Sequence, residues 1–112
     1  MYMNDYQDDA ETTMLPTANN IEYLSLNLAA EAGEVAGKIA KLYRKRPYVD
    51  SDISLDHDAV HAIIEELGDV LWQTAMLANL LGYRLSDVAK INLAKLGERR
   101  KRGVIDGEGD SR

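Results

Sequence analysis

The stretch NIEYLSLNLAAEAGEVAGKIAKLYR, residues 20–44, decides the fold, because its apolar side chains recur every three or four positions. That period corresponds to one face of a long α-helix. Glu31 interrupts the apolar face, whose other members are Ile21, Leu24, Leu28, Val35, Ile39 and Leu42. Burying a charged side chain is costly unless it has a partner. The stretch therefore predicts a helix with a charged site on its apolar face.

A second long helix is predicted from Leu55 or Asp56 to Leu81. It is apolar on most sides, which favours a central and largely buried position. Gly82 is placed to end it, since glycine readily adopts the left-handed conformation of a helix C-terminus. The residues Tyr48–Asp58 before it are polar and irregular, so they are predicted to form a connecting loop.

Two shorter helices are predicted outside this pair. The first runs from Asn4, as its cap, to about Thr12, before Pro16 breaks the chain. The last begins after a serine cap at Ser86 and ends near Arg100. We expect an all-α, four-helix-bundle-like domain over residues 1–102, in which the two long helices carry the acids. A glycine-rich tail is expected over residues 103–112.

Charge and composition exclude several classes of protein. The net charge of -6 argues against binding to a nucleic acid polymer. Between Arg84 and Arg102, however, the sequence has seven basic residues and only two acidic ones. This local excess of positive charge suits a compact anionic ligand. The chain has no cysteine, which excludes disulfides and thiolate sites and agrees with a cytoplasmic location. No membrane-spanning segment or membrane partner is predicted, because no apolar run approaches about 20 residues.

Two pairs of acids carry the predicted chemistry. Glu31 and Glu34, like Glu66 and Asp69, are three residues apart, so each pair projects from one side of its helix. Packing the two helices together would gather four carboxylates, whose mutual repulsion a divalent cation would relieve. Oxygen ligands without His or Cys favour magnesium, with manganese as a substitute. Gly33 and Gly68 lie beside the pairs and suggest a close approach by another group.

The segments EAGEV (31–35) and EELGDVLW (65–72) resemble the MazG-like nucleoside triphosphate pyrophosphohydrolases. The resemblance extends to YLSLNLAAE (23–31), NLAKL (92–96) and RGVIDGEGDSR (102–112), and so covers most of the chain. It implies hydrolysis of a nucleoside triphosphate to a monophosphate and pyrophosphate, and an α-helical homodimer or homotetramer. It assigns magnesium binding to Glu31, Glu34, Glu66 and Asp69. The 31 residues between Glu34 and Glu66 exceed the compact form of the pattern.

Roles in the reaction follow from phosphoryl-transfer chemistry, which needs neutralised phosphate oxygens and a positioned water. Glu34 is the candidate to orient or deprotonate that water, because it lies off the centre of the apolar face; it could equally be a plain ligand. Five residues on or after the last helix are candidates for binding the substrate's phosphates: Asn92, Lys95, Arg99, Arg102 and Arg112. The arginines could instead complement the helix dipole at the surface.

Two other functions remain open from the residues alone. The acidic pairs would also suit a noncatalytic module that binds nucleotide or metal and assembles through its apolar helix surfaces. Alternatively, the related phosphoribosyl-ATP pyrophosphohydrolases have a similar helical fold and acidic motif. Trp72 could stack on a base, but packing in the core is the predicted role because aromatic side chains usually serve burial.

Overall fold

The computed structural model describes residues 1–45 and 56–106, and these residues contain helices and no strand. The helices are α1 (Met3–Glu11), α2 (Ile21–Lys45), α3 (His57–Leu80) and α4 (Leu85–Arg102), with a 3-10 turn at Pro16–Ala18. The prediction of an all-α protein is confirmed. Much of the predicted loop, residues 48–55, and residues 107–112 of the predicted tail lie outside the described residues.

The two long helices begin and end where their local signals place them. The Asn20 side chain accepts a hydrogen bond from the Tyr23 N–H at 2.8 Å, and the Asp56 carboxylate accepts one from the Ala59 N–H at 3.0 Å. Each side chain satisfies a backbone donor that the first helical turn leaves free. Because α3 begins at His57, the predicted loop was two residues too long at its end. Gly82, at φ +81°, follows α3 as expected.

The α2 and α3 helices pack along each other and form the main body of the described chain. Leu24 is fully buried, and the rest of the apolar face of α2 after it is half-buried. Leu24 meets Ala75 and Met76 of α3 in the core. The helical period thus predicted correctly which face of α2 turns inward, and Glu31 lies on that face.

The first helix joins the turn between α3 and α4 through the side chain of Gln7, which is fully buried. Its Nε2 donates to Asn79 Oδ1 at 2.7 Å and to the Tyr83 carbonyl at 3.0 Å, and its Oε1 accepts from the Leu85 N–H at 2.7 Å. Arg84 adds an ion pair with Asp8 at 2.9 Å. These bonds hold α1 against the end of α3 and the start of α4.

The two predicted caps of the short helices were wrong. Asn4 lies inside α1, and its side chain accepts from the Ser86 N–H at 3.0 Å while donating to Ser86 Oγ at 2.9 Å. The α4 helix begins at Leu85, and Asp87 accepts from the Arg84 N–H at 3.0 Å. Asn4 therefore stabilises the start of a helix 82 residues away in sequence. Local spacing could not reveal such a contact.

Burial of α3 differs between its two halves. The second half supplies most of the buried residues, including Gln73, Ala75, Met76 and Ala78. In the first half, Ile64 and Leu67 remain 56% and 45% exposed. The prediction of a largely buried helix is therefore wrong for the first half of α3, because α1 and the core cluster cover only the second half.

Candidate functional site

Three of the four predicted metal ligands come together where α2 faces α3. Glu31 projects from α2, and Glu66 and Asp69 project from α3 one turn apart. One carboxylate oxygen of each residue lies within 4.8 Å of the other two. Glu31 and Glu66 are half-buried, whereas Asp69 is exposed. The packing of the two long helices thus produces a set of hard oxygen donors open to solvent on one side.

The electrostatics of this cluster fit a divalent cation. Burial raises the pKa of the Glu31 carboxyl, and the neighbouring carboxylates of Asp69, Glu66 and Glu34 raise it further. Negative charge in the cluster is therefore incompletely neutralised by the protein itself. Oxygen donors without nitrogen or sulfur suit a hard cation such as magnesium. The donor set and its charge are those of a site that could hold a hard divalent cation.

Glu34 takes a different position from the other three acids. It is exposed and lies outside the group whose oxygens are within 4.8 Å of one another. Its carboxylate is still near enough to contribute to the raised pKa of Glu31. The side chain lies at the rim of the cluster, and its predicted role as a ligand or base stays a prediction.

Lys38 is a charged neighbour of the acids that the sequence reasoning missed. Its Nζ lies 3.9 Å from Glu66 Oε1. Lys38 follows Glu31 by seven residues, which is two helical turns, and so lies on the same line of α2. That spacing was a signal in the sequence, but only the packing of α2 on α3 identifies Glu66 as the partner.

The first helix borders the cluster on the α3 side. Trp72, one turn after Asp69, donates from its indole Nε1 to Thr13 Oγ1 at 2.8 Å and to the Ala10 carbonyl at 3.3 Å. The ring packs against the core, in agreement with its predicted role. Burial raises the pKa of the Tyr6 hydroxyl and the Asp69 carboxylate raises it further, so Tyr6 lies near the acids. No sequence pattern had connected α1 with this site.

Two of the predicted phosphate-binding residues, Asn92 and Lys95, lie away from the acids in the described chain. Asn92 and Lys95 line an apolar groove of about 330 Å³ with Tyr83 and Ala78. Ala78 follows Asp69 by nine residues, roughly 13 Å along α3 at the helical rise. The groove is therefore separated from the carboxylate cluster along the axis of α3.

The three predicted arginines differ in their surroundings. Arg99 is buried, at 4% exposure, and its predicted role in binding phosphate stays a prediction. Its position on a helix could not reveal that burial. Arg102 lies at the surface, with its Nε 3.0 Å from Glu98 Oε1. Arg112 lies outside the described residues.

The two glycines beside the acids have open space around them. A methyl group built at Gly33 or at Gly68 would meet no atom within 4 Å. The close approach that these glycines suggested is therefore not made within the described subunit.

Among the helices of the described residues, none combines the length and the apolar character that a membrane-spanning segment needs.

Comparison with known proteins agrees with the observed fold, in which two helices of an all-helical chain bring carboxylates together. The model of the MazG nucleotide pyrophosphohydrolase domain matches residues 19–104. The chain belongs to this family, as its motifs predicted. Gene 37 protein of Mycobacterium phage L5 is 39% identical over 119 aligned positions, covering all of both chains. The uncharacterized protein YvdC of Bacillus subtilis (strain 168) is 36% identical over 72 positions, covering 64% of this chain and 68% of YvdC. No solved structure matches the chain.

Proposed function

We propose that the protein hydrolyses nucleoside or deoxynucleoside triphosphates to the monophosphate and pyrophosphate, with magnesium as its cofactor. Membership of the family indicates a nucleotide pyrophosphohydrolase. The observation that carries the finer proposal is the convergence of Glu31, Glu66 and Asp69 within 4.8 Å. A nucleotide substrate also agrees with the proposed cytoplasmic location.

The acids would hold the cation between α2 and α3. Glu31, Glu66 and Asp69 supply the nearest oxygens, and Glu34 lies close enough to complete the set. When bound, magnesium neutralises phosphate oxygens and favours ionisation of water; manganese can supply the same chemistry. Glu31 and Glu66, both half-buried, would hold the cation close to the helices.

Glu34 is the proposed general base. It is exposed and lies outside the closest group of carboxylates, so its oxygen is accessible to a water molecule in the site. In the reaction, the oxygen of water forms a bond to phosphorus as the bond to the pyrophosphate oxygen breaks. Glu34 takes the proton that the attacking water releases.

Phosphate binding is proposed for Asn92 and Lys95, with Arg99, Arg102 and Arg112 as further candidates. Asn92 and Lys95 offer an amide and an ammonium in the groove formed by α3 and α4. Within one subunit this groove is separated from the acids along the axis of α3. A second subunit could bring its own groove to the cluster, which supports a site shared between subunits.

We propose a homodimer or homotetramer, supported by apolar surface on the long helices. Leu26, Ala30, Gly33 and Gly37 recur along one line of α2, and all four are exposed. Small residues in such a line allow two helices to approach closely, so a second copy would cover this surface.

The proposed activity is tested with a panel of ribonucleoside and deoxynucleoside triphosphates in the presence of magnesium, with identification of the products. We expect the monophosphate and pyrophosphate from at least one substrate, and loss of the activity in Glu66→Gln. Glu65→Gln is the matched control, because Glu65 is exposed and pairs with His61 at 2.9 Å. Full activity in Glu66→Gln would refute the assignment of the acids, and binding without cleavage across the panel would favour a noncatalytic module.

A further inference from the structure

Lys38 places a positive charge beside the carboxylates that are proposed to hold the metal. Its Nζ lies 3.9 Å from Glu66 Oε1, and the two side chains are 40% and 18% exposed. This distance is too long for a directed hydrogen bond, so the two groups are attracted by charge alone. Ion pairs with a solvated partner contribute little to stability. The ammonium can therefore leave Glu66 at small cost.

The Lys38 side chain borders open space into which it can move. It lines an open groove of about 480 Å³ between α2 and the start of α3. Lys41, one turn further along α2, lines the same groove. Lys38 also follows Glu34 by one turn, so its long side chain borders both the acids and open solvent.

We propose that Lys38 has two successive partners, Glu66 in the metal-free site and a phosphate of the substrate once the metal is bound. This inference rests on the proposed function. A divalent cation attracts the Glu66 carboxylate more strongly than a single ammonium does and repels the ammonium. A triphosphate next to the metal offers Lys38 an anionic oxygen within reach of its flexible chain. Lys38 is then a substrate-binding residue that, before the metal binds, pairs with one of the proposed metal ligands.

The proposal predicts opposite changes in two binding constants when the charge is removed. In Lys38→Met, Mn²⁺ alone should bind about twofold to fivefold more tightly, because an exposed ion pair no longer competes for Glu66. An α,β-imido nucleoside triphosphate, which resists cleavage, should bind about tenfold more weakly in the presence of saturating Mn²⁺, because a charged contact to phosphate is lost. A side chain with a purely structural role would not move the two constants in opposite directions.

Both constants can be measured by calorimetric titration of the full chain. Lys41→Met is the matched control, because it removes a lysine from the same groove without a contact to Glu66, and neither constant should change. Lys38→Arg keeps the charge and should retain most of the nucleotide affinity. Thermal unfolding monitored by circular dichroism checks that each variant is folded.

The outcomes separate this inference from the proposed function. Nucleotide binding that is unchanged in Lys38→Met, with wild-type activity present, would overturn the role of Lys38 and leave the enzyme intact. An unchanged Mn²⁺ affinity in Lys38→Met would likewise refute the proposed pairing of Lys38 with Glu66. A wild-type protein that neither binds nor cleaves any triphosphate would overturn both proposals.

Discussion

Replacing Gln7 by alanine would remove the buried amide that joins α1 to the turn between α3 and α4. The side chain is fully buried and makes three short hydrogen bonds. Its partners are the Asn79 side chain, the Tyr83 carbonyl and the Leu85 N–H. Alanine cannot reach any of them, so each would lose its bond to Gln7, and the Leu85 N–H would lose it in a buried position.

The expected cost follows from these contacts. Each lost hydrogen bond costs about 1 kcal/mol, for about 3 kcal/mol in all, and the unsatisfied partners can raise this figure. Loss of the buried Cγ methylene adds about 0.8 kcal/mol. We therefore expect the free energy of unfolding to fall by about 4 kcal/mol. Such a loss is a large fraction of the 5–15 kcal/mol that is typical of a folded protein.

Urea unfolding at a fixed protein concentration measures this loss, since association between subunits would change the apparent stability. Glu11→Ala is the matched control, because Glu11 is an exposed residue at the end of α1. Its substitution should change stability by less than about 0.5 kcal/mol. If Gln7→Ala were as mild as Glu11→Ala, the bonds from Gln7 would not hold α1 in place, and the reasoning would be wrong.

Two further predictions concern the metal and the assembly of subunits. Magnesium at a hundred times its dissociation constant should stabilise the protein by about 2.7 kcal/mol, and chelation should remove that gain. In a thermal shift assay, Glu31→Gln should be stabilised little by magnesium. An undiminished stabilisation of this variant would exclude Glu31 as a ligand. The wild-type chain should sediment at two or four times 12.5 kDa. Because Leu26 is 74% exposed on the apolar line of α2, Leu26→Asp should shift the protein toward the monomer without unfolding it, and a wild-type monomer would contradict the proposed assembly.

Local patterns in the sequence determined the helices and the acids. The apolar period of α2 identified its inward face and placed Glu31 on it. Gly82 was correctly predicted to follow the second long helix, because a left-handed glycine acts on backbone groups only a few residues away. The spacing of three between paired acids depends only on helical geometry. The motifs around them were sufficient to predict the family.

Contacts between distant residues were decided only by the tertiary structure. Asn4 reaches Ser86, Lys38 reaches Glu66, and Arg99 is buried although its sequence position suggested a surface cation. Each depends on how helices pack and on which side chain fills the space between them. A helical period specifies which face turns inward, but it does not specify which residue of another helix that face will meet. For this reason the sequence alone predicted the acids, whereas packing alone placed Lys38 beside them.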